Sequence, residues 1–330
     1  MKKNNLTMKD IAQLAGVSQP TVSRVINNNP KVNPLIKERV LNIIKEYNFK
    51  PNQNAKTLRG NSSKIIGLIV FDFSNYYYLE MVKYAEKAAR EKGYTIIVMN
   101  SEGNQSLELE HIMQLIARKV DGILIAPTSK ENLKYLKNTT TPFLVINTIF
   151  KNYSSISTSL FDGGKIASDF LISLGHKKIA FIGADLKNPK FLGMKSSLEK
   201  NKIKMGKSSF IKTDTLNMKL DNIFYYLDSH PNEFTAFICS NDNIALYLIS
   251  EFEKRGVKIP EDISVVGFDN TIISKILNIS SIKQPMEEMM IKSIQLLTGS
   301  TSINNSIIQI ELEPILIERK STKKFKKNSP

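Results

Sequence analysis

Short apolar runs rich in valine and isoleucine alternate with helix-like stretches through most of this chain, starting at residue 64. The first set reads IIGLIV, TIIVM, GILIA and PFLVIN, and the rhythm restarts with KIAFIG, SSFIKT, TAFICS and SVVGF. Strands that are apolar on both faces and joined by helices form parallel sheets that are covered on both sides. The alternation therefore predicts two α/β halves, each with a Rossmann-like order of strands and helices.

The chain departs from this rhythm after Asp269. A helix is predicted for residues 285–297, and the last apolar piece, IIQIELEPILIER, is predicted to supply closing strands. The helix would return to the first lobe, giving that lobe residues 63–160 and 286–308 and the second lobe residues 162–284 and 309–318. The chain would pass between the lobes about three times, an arrangement that suits hinge closure.

Residues 1–50 show a different pattern, which predicts an all-α domain of three short helices. Thr7 is a good N-cap for the first helix, and Asp10 follows three residues later, where a carboxylate faces the unpaired amides of the first turn. Ile11, Leu14 and Ala15 fall on one face of this helix. The glycine at position 16 ends it, because glycine tolerates the left-handed conformation found at helix ends.

The second helix carries an unusual polar face. Ser18 is its predicted N-cap and Pro20 lies in its first turn, where no backbone donor is lost. The predicted outward residues are Gln19, Thr21, Ser23, Arg24 and Asn27. This face has no acid, and its hydroxyls, amides and arginine are side chains that bond phosphates and base edges. A third helix, starting at Asn33 and Pro34 with an apolar stripe that includes Tyr47, completes a helix-turn-helix arrangement.

Two consecutive motifs carry a family resemblance. MKDIAQLAGVSQPTVSRVIN, followed by KPNQNAKTLRG, closely resembles the DNA-binding end of the lactose-repressor/galactose-repressor (LacI/GalR) family of bacterial transcription regulators, and the resemblance continues over nearly the whole chain. It implies a periplasmic-binding-protein-like regulatory domain with a cleft between its lobes. It also implies a homodimer that represses a carbohydrate-utilisation operon by binding a palindromic operator, under the allosteric control of a sugar or sugar-phosphate effector.

Residues 51–62 form the linker between the two parts. The resemblance implies a short hinge helix that folds against the minor groove, with the apolar Leu58 opening a central base step; a flexible linker with a stray leucine is the alternative. The DNA-contacting candidates are Thr7, Ser18, Gln19, Pro20, Thr21, Ser23, Arg24, Asn27, Asn52, Ala55 and Leu58.

The net charge of +15 is concentrated at the two ends of the chain. Residues 1–60 carry a net +8 and residues 319–330 a net +6, so the part between them is almost neutral. A basic head with a neutral body indicates an anionic partner for the head, such as nucleic acid. The basic stretch 319–330 is predicted to be a disordered tail, and its lack of a heptad repeat favours a dimer over a tetramer.

Other classes of protein find little support. A single cysteine, Cys239, excludes an internal disulfide, and three scattered histidines lack metal-ligand spacing. The chain has no catalytic motif such as a P-loop or GxSxG, so neither an enzyme nor a cofactor is expected. The first ten residues include no apolar run, and no stretch approaches the length of a membrane span, so a cytoplasmic location is expected.

Ligands of α/β lobes lie at the carboxyl ends of the strands. That rule nominates the segments Asp72–Tyr78, Pro127–Ser129, Asn147, Asp185–Lys190, Asn241–Asp242 and Asp269–Asn270. The effector-binding candidates chosen from these are Tyr77, Tyr78, Asn147, Lys190, Asn241 and Asp269.

Three positions depart from the family pattern. The family usually has aspartate at position 147, often has aspartate at 158 and often has arginine at 190, where this chain has Asn147, Thr158 and Lys190. The cleft is therefore less negative, and lysine lacks the bidentate fork of arginine. A phosphorylated sugar, or control by a phosphorylated carrier protein as in the catabolite-control branch, becomes the alternative to a neutral sugar.

Overall fold

The computed structural model consists of two compact units, and the boundary between them falls between Ser63 and Lys64. The residues that the structure describes are 6–26, 28–49, 62–213, 233–299 and 306–325, together with Phe224, Leu227 and His230. Four candidate DNA contacts, Asn27, Asn52, Ala55 and Leu58, lie outside the described residues, as do the hinge helix and most of a helix predicted for 218–227.

The head unit consists of helices α1 (Met8–Leu14), α2 (Gln19–Ile26) and α3 (Pro34–Glu46). The Thr7 hydroxyl accepts a hydrogen bond from the Asp10 amide, and the Asp10 carboxylate accepts one from the Thr7 amide at 2.7 Å. Asn33 caps α3 by accepting from the Leu35 amide at 2.9 Å. These local bonds pair amides that a helix start leaves without partners, which is why the helices begin where the sequence predicted.

A small apolar core joins the three helices. Its buried members are Ile11, Ala12, Ala15, Val22, Val25 and Val40. Two residues expected on buried stripes are instead on the surface, since Leu14 is 47% exposed and Tyr47 is 46% exposed. Both stand at the last turn or the C-cap of their helices, where the neighbouring helices no longer cover them.

The first lobe of the second unit is a six-stranded parallel sheet flanked by helices. Its strands, in sheet order, are β11 (Gln309–Leu312), β5 (Ser155–Thr158), β4 (Phe143–Ile146), β3 (Gly122–Ile125), β1 (Ile65–Val70) and β2 (Thr95–Asn100). Its helices are α4 (Tyr76–Glu91), α5 (Gln105–Ala117), a short 3₁₀ turn (Lys130–Asn132) leading into α6 (Leu133–Lys137), and α11 (Met286–Thr298), which packs beside α4. Apolar side chains fill both faces of this sheet, as continuous apolar runs predict.

The second lobe repeats the plan. Its strands, in sheet order, are β12 (Ile315–Ile317), β10 (Ser280–Lys283), β9 (Ser264–Asp269), β8 (Ala236–Cys239), β6 (Ile179–Gly183) and β7 (Phe210–Lys212), and β12 alone among the described strands runs antiparallel to its neighbour. Its helices are α7 (Leu160–Ser173), α8 (Pro189–Lys200), a 3₁₀ turn (Lys207–Ser209), α9 (Asp242–Lys254) and α10 (Ile272–Ile276). Cys239 is fully buried at the end of β8.

In the described part of the chain, the lobes exchange segments after β5, after β10 and after β11. The predicted boundary needs one correction, because residues 309–312 were assigned to the second lobe. Strand β11 instead pairs with β5 in the first lobe, with Ile310 opposite Ile156. The chain passes to the second lobe only at Glu313 and Pro314, between β11 and β12. An apolar run shows that a strand exists but not which sheet edge it joins.

The predicted disordered tail also needs correction for its described part. Residues 319–325 form a strap along the second lobe, in which Ser321 and Thr322 are buried. The Val265 amide donates to the Ser321 carbonyl at 2.8 Å, and the Phe325 amide donates to Leu174 at 2.8 Å. The basic composition predicted solvation, but the backbone of the strap supplies the partners that the ends of β9 and β10 need. Residues 326–330 are outside the described part.

Within the described helices, none combines the length and apolar composition needed to cross a bilayer.

Candidate nucleic-acid interface and ligand cleft

Helix α2 presents its polar side chains outward. Ser18, Gln19, Pro20 and Arg24 are exposed, whereas Val22 and Val25 on the opposite face are buried. Thr21 and Ser23 are half-buried at the edges of this surface. The helix therefore presents an arginine, an amide and hydroxyls on one side, the set suited to phosphate and base-edge contacts.

Two of the candidate hydroxyls already serve as helix caps. The Thr7 hydroxyl donates to the Asp10 carboxylate at 2.7 Å. The Ser18 hydroxyl lies 2.9 Å from the Thr21 hydroxyl and accepts from the Thr21 amide at 3.4 Å. These bonds fix the two hydroxyls in position. Because the Thr7 proton is already donated to Asp10, a phosphate oxygen could accept it only by replacing that carboxylate.

A cleft of about 390 Å³ lies between the two lobes. The residues lining it include all six effector candidates, namely Tyr77, Tyr78, Asn147, Lys190, Asn241 and Asp269. It is also lined by Phe71, Asp72, Asn75, Leu160, Ala184, Asp185, Lys187, Asn188, Pro189, Ser240 and Gln284. The strand-end rule therefore selected side chains that line one cleft although they are up to about 190 positions apart in the chain.

The first lobe contributes aromatic rings and an amide. Tyr77 is buried, and its hydroxyl donates to Asn147 Oδ1 at 2.8 Å. The Tyr78 ring stacks on Phe71 at a centroid distance of 6.2 Å and meets Tyr77 edge-on at 5.2 Å. Burial raises the pKa of both tyrosines, with the nearby Asp269 charge adding to the rise, so both remain neutral hydroxyls at physiological pH.

The second lobe contributes a buried cation and a carboxylate. Asn188 caps α8 by accepting from the Lys190 amide at 2.9 Å, which sets Lys190 in the first turn. The Lys190 ammonium donates to the Ser240 carbonyl at 2.7 Å, lies 3.8 Å from the Phe268 ring centroid and is 3.9 Å from Asp269 Oδ1. The cation is thus held by a carbonyl and a ring, with the carboxylate as a looser partner.

Burial governs the ionisation of this pair. It lowers the pKa of Lys190, while the Asp269 charge opposes that change. Burial likewise raises the pKa of Asp269, and Lys190 and the Gln284 amide oppose the rise. Asp269 also adopts a φ of 100°, a left-handed conformation that is costly for a residue with a side chain. A residue held under such strain next to a cleft is a candidate for ligand contact.

Asn241 and Asp242 divide their roles at the start of α9. The Asn241 side-chain oxygen caps the helix by accepting from the Ile244 amide at 2.8 Å, which leaves its NH₂ group for a ligand. Asp242 does not line the cleft. It is buried behind it, where it accepts from the Thr271 amide at 2.7 Å, the Thr271 hydroxyl at 2.9 Å and the Ser281 hydroxyl at 2.7 Å.

The buried Asp242 carboxyl should make the free energy of unfolding depend on pH. Burial, reinforced by the Asp269 charge and opposed by hydrogen bonds from Ser281 and Thr271, raises the pKa of Asp242 from 3.8 to about 7. Between about pH 4 and pH 7 the folded protein holds a proton that the unfolded chain has released, so this contribution to stability is greatest at acidic pH and falls as the pH rises. Denaturant unfolding across this window should show a loss of roughly 2–4 kcal/mol from this group.

The matched variant is Asp242→Asn, which cannot ionise. Its free energy of unfolding should lack this decline, so the difference between wild type and variant should change steadily from pH 4 to pH 7. A difference that is constant across the window would contradict the raised pKa.

One nominated segment, Pro127–Ser129, and the nominated residue Asn270 lie outside the cleft. The amides of Thr128 and Ser129 donate to the buried Glu108 carboxylate, which organises that loop. Asn270 accepts from the Arg319 guanidinium at 2.5 Å. Thr158, one of the three departures from the family pattern, is buried at the end of β5. Following a strand is therefore necessary for a cleft residue but not sufficient.

The sequence reasoning missed several lining residues, of which Gln284 is the most connected. Its amide nitrogen donates to Asp269 Oδ1 at 2.6 Å, and its oxygen accepts from the Tyr77 hydroxyl at 3.3 Å. Gln284 follows β10, a strand whose buried serines gave no apolar signal. Phe71 and Ser240 each lie one residue before a nominated segment, so the segments as drawn left them out.

Two contacts join the lobes at the rim of the cleft. The Asn243 amide nitrogen on α9 donates to the Ser74 carbonyl of the first lobe at 2.9 Å. The Lys275 ammonium on α10 lies 3.6 Å from the Glu80 carboxylate on α4. Among the described side chains, no group of three or more His, Cys, Asp or Glu residues is arranged to hold a metal ion.

A head with a basic, acid-free helix face is built to contact nucleic acid, and the cleft in the same chain offers a small molecule a place to bind. The two together define the class of ligand-responsive transcriptional regulators.

Comparison with known proteins agrees with this class. Residues 7–52 match the bacterial regulatory proteins of the lacI family, and residues 168–322 match the periplasmic binding protein-like domain. Catabolite control protein A of Priestia megaterium is 32% identical over 97% of this chain and 100% of its own length. The HTH-type transcriptional repressor PurR of Histophilus somni is 31% identical over 96% of this chain and 99% of its own.

A solved structure of the Lac repressor, bound to ONPG in the repressed state, superposes with a TM-score of 0.85 at 26% identity, covering 97% of this chain and 100% of that one. The chain belongs to the lacI family of bacterial regulatory proteins. It is a DNA-binding transcriptional regulator, and the relatives found are regulators rather than enzymes.

Proposed function

We propose that this chain is a repressor of a carbohydrate-utilisation operon, which binds a palindromic operator as a homodimer and releases or tightens on it when a small sugar or sugar phosphate enters the cleft. The observation that carries the proposal is the composition of the cleft. Amides, three aspartates and two lysines line a space that the Tyr78 ring borders. Planar polar groups suit hydroxyls and an aromatic ring suits the apolar face of a sugar.

In the proposed complex, the exposed face of α2 enters the major groove. Arg24 and Gln19 read base edges, while the hydroxyls of Thr7, Ser18, Thr21 and Ser23 contact the backbone. Pro20 flanks this surface, and Asn27 is proposed as a further DNA contact. Asn52, Ala55 and Leu58 are proposed as the minor-groove contacts of the linker, with Leu58 as the wedge. Since a regulator acts where the chromosome is, the proposed site of action is the cytoplasm.

The proposed control works through geometry. Two heads must match half-sites about one helical turn apart, so a small rotation of the lobes that carry them changes specific binding by several kcal/mol. The cleft is bounded by both lobes and by the crossing segment of Gln284. A ligand that contacts both lobes would therefore change the angle between them.

The likeness to catabolite control protein A favours a second candidate, a regulator activated by a phosphorylated carrier protein. One assay separates the two. Operator affinity is measured by fluorescence anisotropy at fixed salt, on a duplex selected from a randomised symmetric pool. Sugars, sugar phosphates and a serine-phosphorylated carrier protein are then added in turn.

A change of operator affinity with one sugar or sugar phosphate supports the first candidate, and strengthening only by the phosphoprotein supports the second. The matched variants are Tyr78→Leu in the cleft and Tyr135→Leu on the surface. The first should lose the sugar response and keep operator binding, whereas the second should behave like wild type. Failure to select any duplex would contradict the proposed function as a whole.

A further inference from the structure

A line of hydrogen-bonding side chains crosses from one lobe to the other through the floor of the cleft. It runs from Asn147 of the first lobe to the Tyr77 hydroxyl, then to Gln284, and ends at Asp269 of the second lobe. These four residues are called the hinge relay below. Gln284 lies between β10 and α11, in one of the segments that connect the lobes.

The chemistry of the groups sets the direction of each bond. The Gln284 amide nitrogen donates to Asp269 Oδ1, so the Gln284 side-chain oxygen faces the Tyr77 hydroxyl. The Tyr77 hydroxyl has one proton and two acceptors within reach, Asn147 Oδ1 at 2.8 Å and Gln284 Oε1 at 3.3 Å. The relay therefore has two arrangements. In one, Tyr77 donates its proton to Asn147 of the first lobe, and in the other it donates to Gln284 of the crossing segment.

Three of the four relay residues are buried, so the loss of a hydrogen-bond partner by any of them is costly. Tyr77 and Gln284 are each 4% exposed and Asp269 is 7% exposed. A group in such a position that loses its partner has no bulk water to replace it. All four relay residues line the cleft, so a ligand that bonds any of them removes or redirects a relay bond.

The crossing segment has room to respond. Asp269 and Gln284 also line a second cavity of about 680 Å³, which lies along α11 and includes Pro285 and Met286. The relay thus forms part of the wall between the effector cleft and this second space. A change in its bonding would let the crossing segment shift without first breaking the packed core of either lobe.

We propose that Gln284 is a positioning residue that transmits occupancy of the cleft to the hinge, by exchanging its hydrogen bonds with Tyr77 and Asp269 when a ligand engages the ends of the relay. This proposal rests on the proposed function, because transmission matters only if lobe movement governs operator binding. It goes beyond that function by naming the side chain through which the two lobes are coupled. It needs no knowledge of the ligand to be tested.

The test is a double-mutant cycle on the full-length, ligand-free protein. Gln284→Leu and Tyr77→Phe each remove one partner of the same bond with little change in shape. Each should change operator affinity at least fivefold and in the same direction, and the double variant should differ no more than the larger single variant. Independent effects that multiply in the double variant would show that the two residues do not act through one link.

Hydrogen–deuterium exchange supplies a readout that does not depend on DNA. The backbone amides of the non-proline residues in 283–286 and 312–315 should exchange at least tenfold faster in both variants, while the strands of each lobe keep their wild-type rates. The matched controls are Tyr135→Phe on α6 and Gln105→Leu on α5, which make the same chemical changes at exposed positions away from the relay and the second cavity. If Gln284→Leu does not fold, Gln284→Met takes its place, since it keeps the length and flexibility of glutamine.

The proposal is overturned if either readout of the relay variants matches the controls, or if exchange rises throughout both lobes rather than in the crossing segments. A wild-type protein that binds no selected duplex would defeat the proposed function alone. In that case the exchange experiment still decides whether the relay couples the lobes.

Discussion

Replacing Arg24 with alanine is expected to abolish discrimination between the operator and other DNA while leaving ligand binding intact. Arg24 is the basic residue of the acid-free face of α2, and its side chain is exposed. An arginine that reads a base edge through two hydrogen bonds contributes about 1–3 kcal/mol of specificity. The ratio of affinities for selected and scrambled duplexes, measured by anisotropy at several salt concentrations, should fall by roughly 10- to 100-fold.

The control for lost charge is Arg39→Ala, which removes an exposed arginine from α3. It should weaken binding to both duplexes by similar factors and preserve their ratio, since an electrostatic contact to phosphate carries no sequence information. An unchanged ratio in the Arg24 variant would defeat the assignment of α2 as the recognition helix.

Replacing Gly164 with alanine is expected to destabilise the second lobe and to displace Lys190 from the cleft. A Cβ atom at position 164 of α7 would lie 1.9 Å from the Lys190 carbonyl oxygen on α8, far inside contact distance. The reciprocal approach occurs at Gly193, where a Cβ would lie 1.9 Å from the Phe161 carbonyl oxygen. The two helices meet through these glycines, and backbone atoms cannot rotate aside as a side chain can.

Gly164→Ala has two opposing effects on stability, a gain in helix propensity and a steric clash between α7 and α8. Alanine gains about 1 kcal/mol over glycine in helix propensity. Forcing two packed helices apart costs typically 1–3 kcal/mol and sometimes more, and here the obstacle is backbone. A net loss of roughly 2 kcal/mol in urea unfolding is expected, with a weakened response to the effector, because Lys190 is carried by the displaced turn.

The control is Gly206→Ala, at an exposed glycine with an ordinary φ of −72° whose added Cβ would meet only the Ser209 hydroxyl at 3.7 Å. It should leave the free energy of unfolding within about 0.5 kcal/mol of wild type. If Gly164→Ala unfolds at the same denaturant concentration as this control, close helix approach is not what requires the glycine.

Local signals explain which elements were predictable. Helix α8 (Pro189–Lys200) has a start that the sequence itself defines, because Asn188 is its cap and Pro189 occupies its first position. The apolar strands β1 and β6 were equally visible, since runs of buried β-branched residues mark them. In these segments the information needed lies within a few residues.

Strands β5 and β10 were not predicted, and the reason is physical. Ser155, Ser280 and Ser281 are fully buried although serine is usually a surface residue. Their burial depends on partners far along the chain. The Ser281 hydroxyl donates to Asp242 at 2.7 Å, and Ser280 receives the Arg319 amide at 2.9 Å from the strap. A polar strand is read as a loop unless those distant partners are known.

Local features of the sequence were enough to predict the class of this protein. Caps, a left-handed glycine at position 16 and an acid-free polar helix face are local features, and they specify a DNA-binding head. The alternation of apolar runs and helices specifies two α/β lobes, and the strand-end rule located the candidates that line the cleft.

The hydrogen-bond partners of the cleft residues, in contrast, depend on tertiary contacts. The bond between Gln284 and Tyr77 joins residues 207 positions apart, and the strap joins residues near the end of the chain to β9 and β10. Such partners are selected by how helices and sheets pack in three dimensions, and packing depends on every element at once. Residue periodicity reports which face of an element is buried, but it carries no record of which distant side chain meets it there.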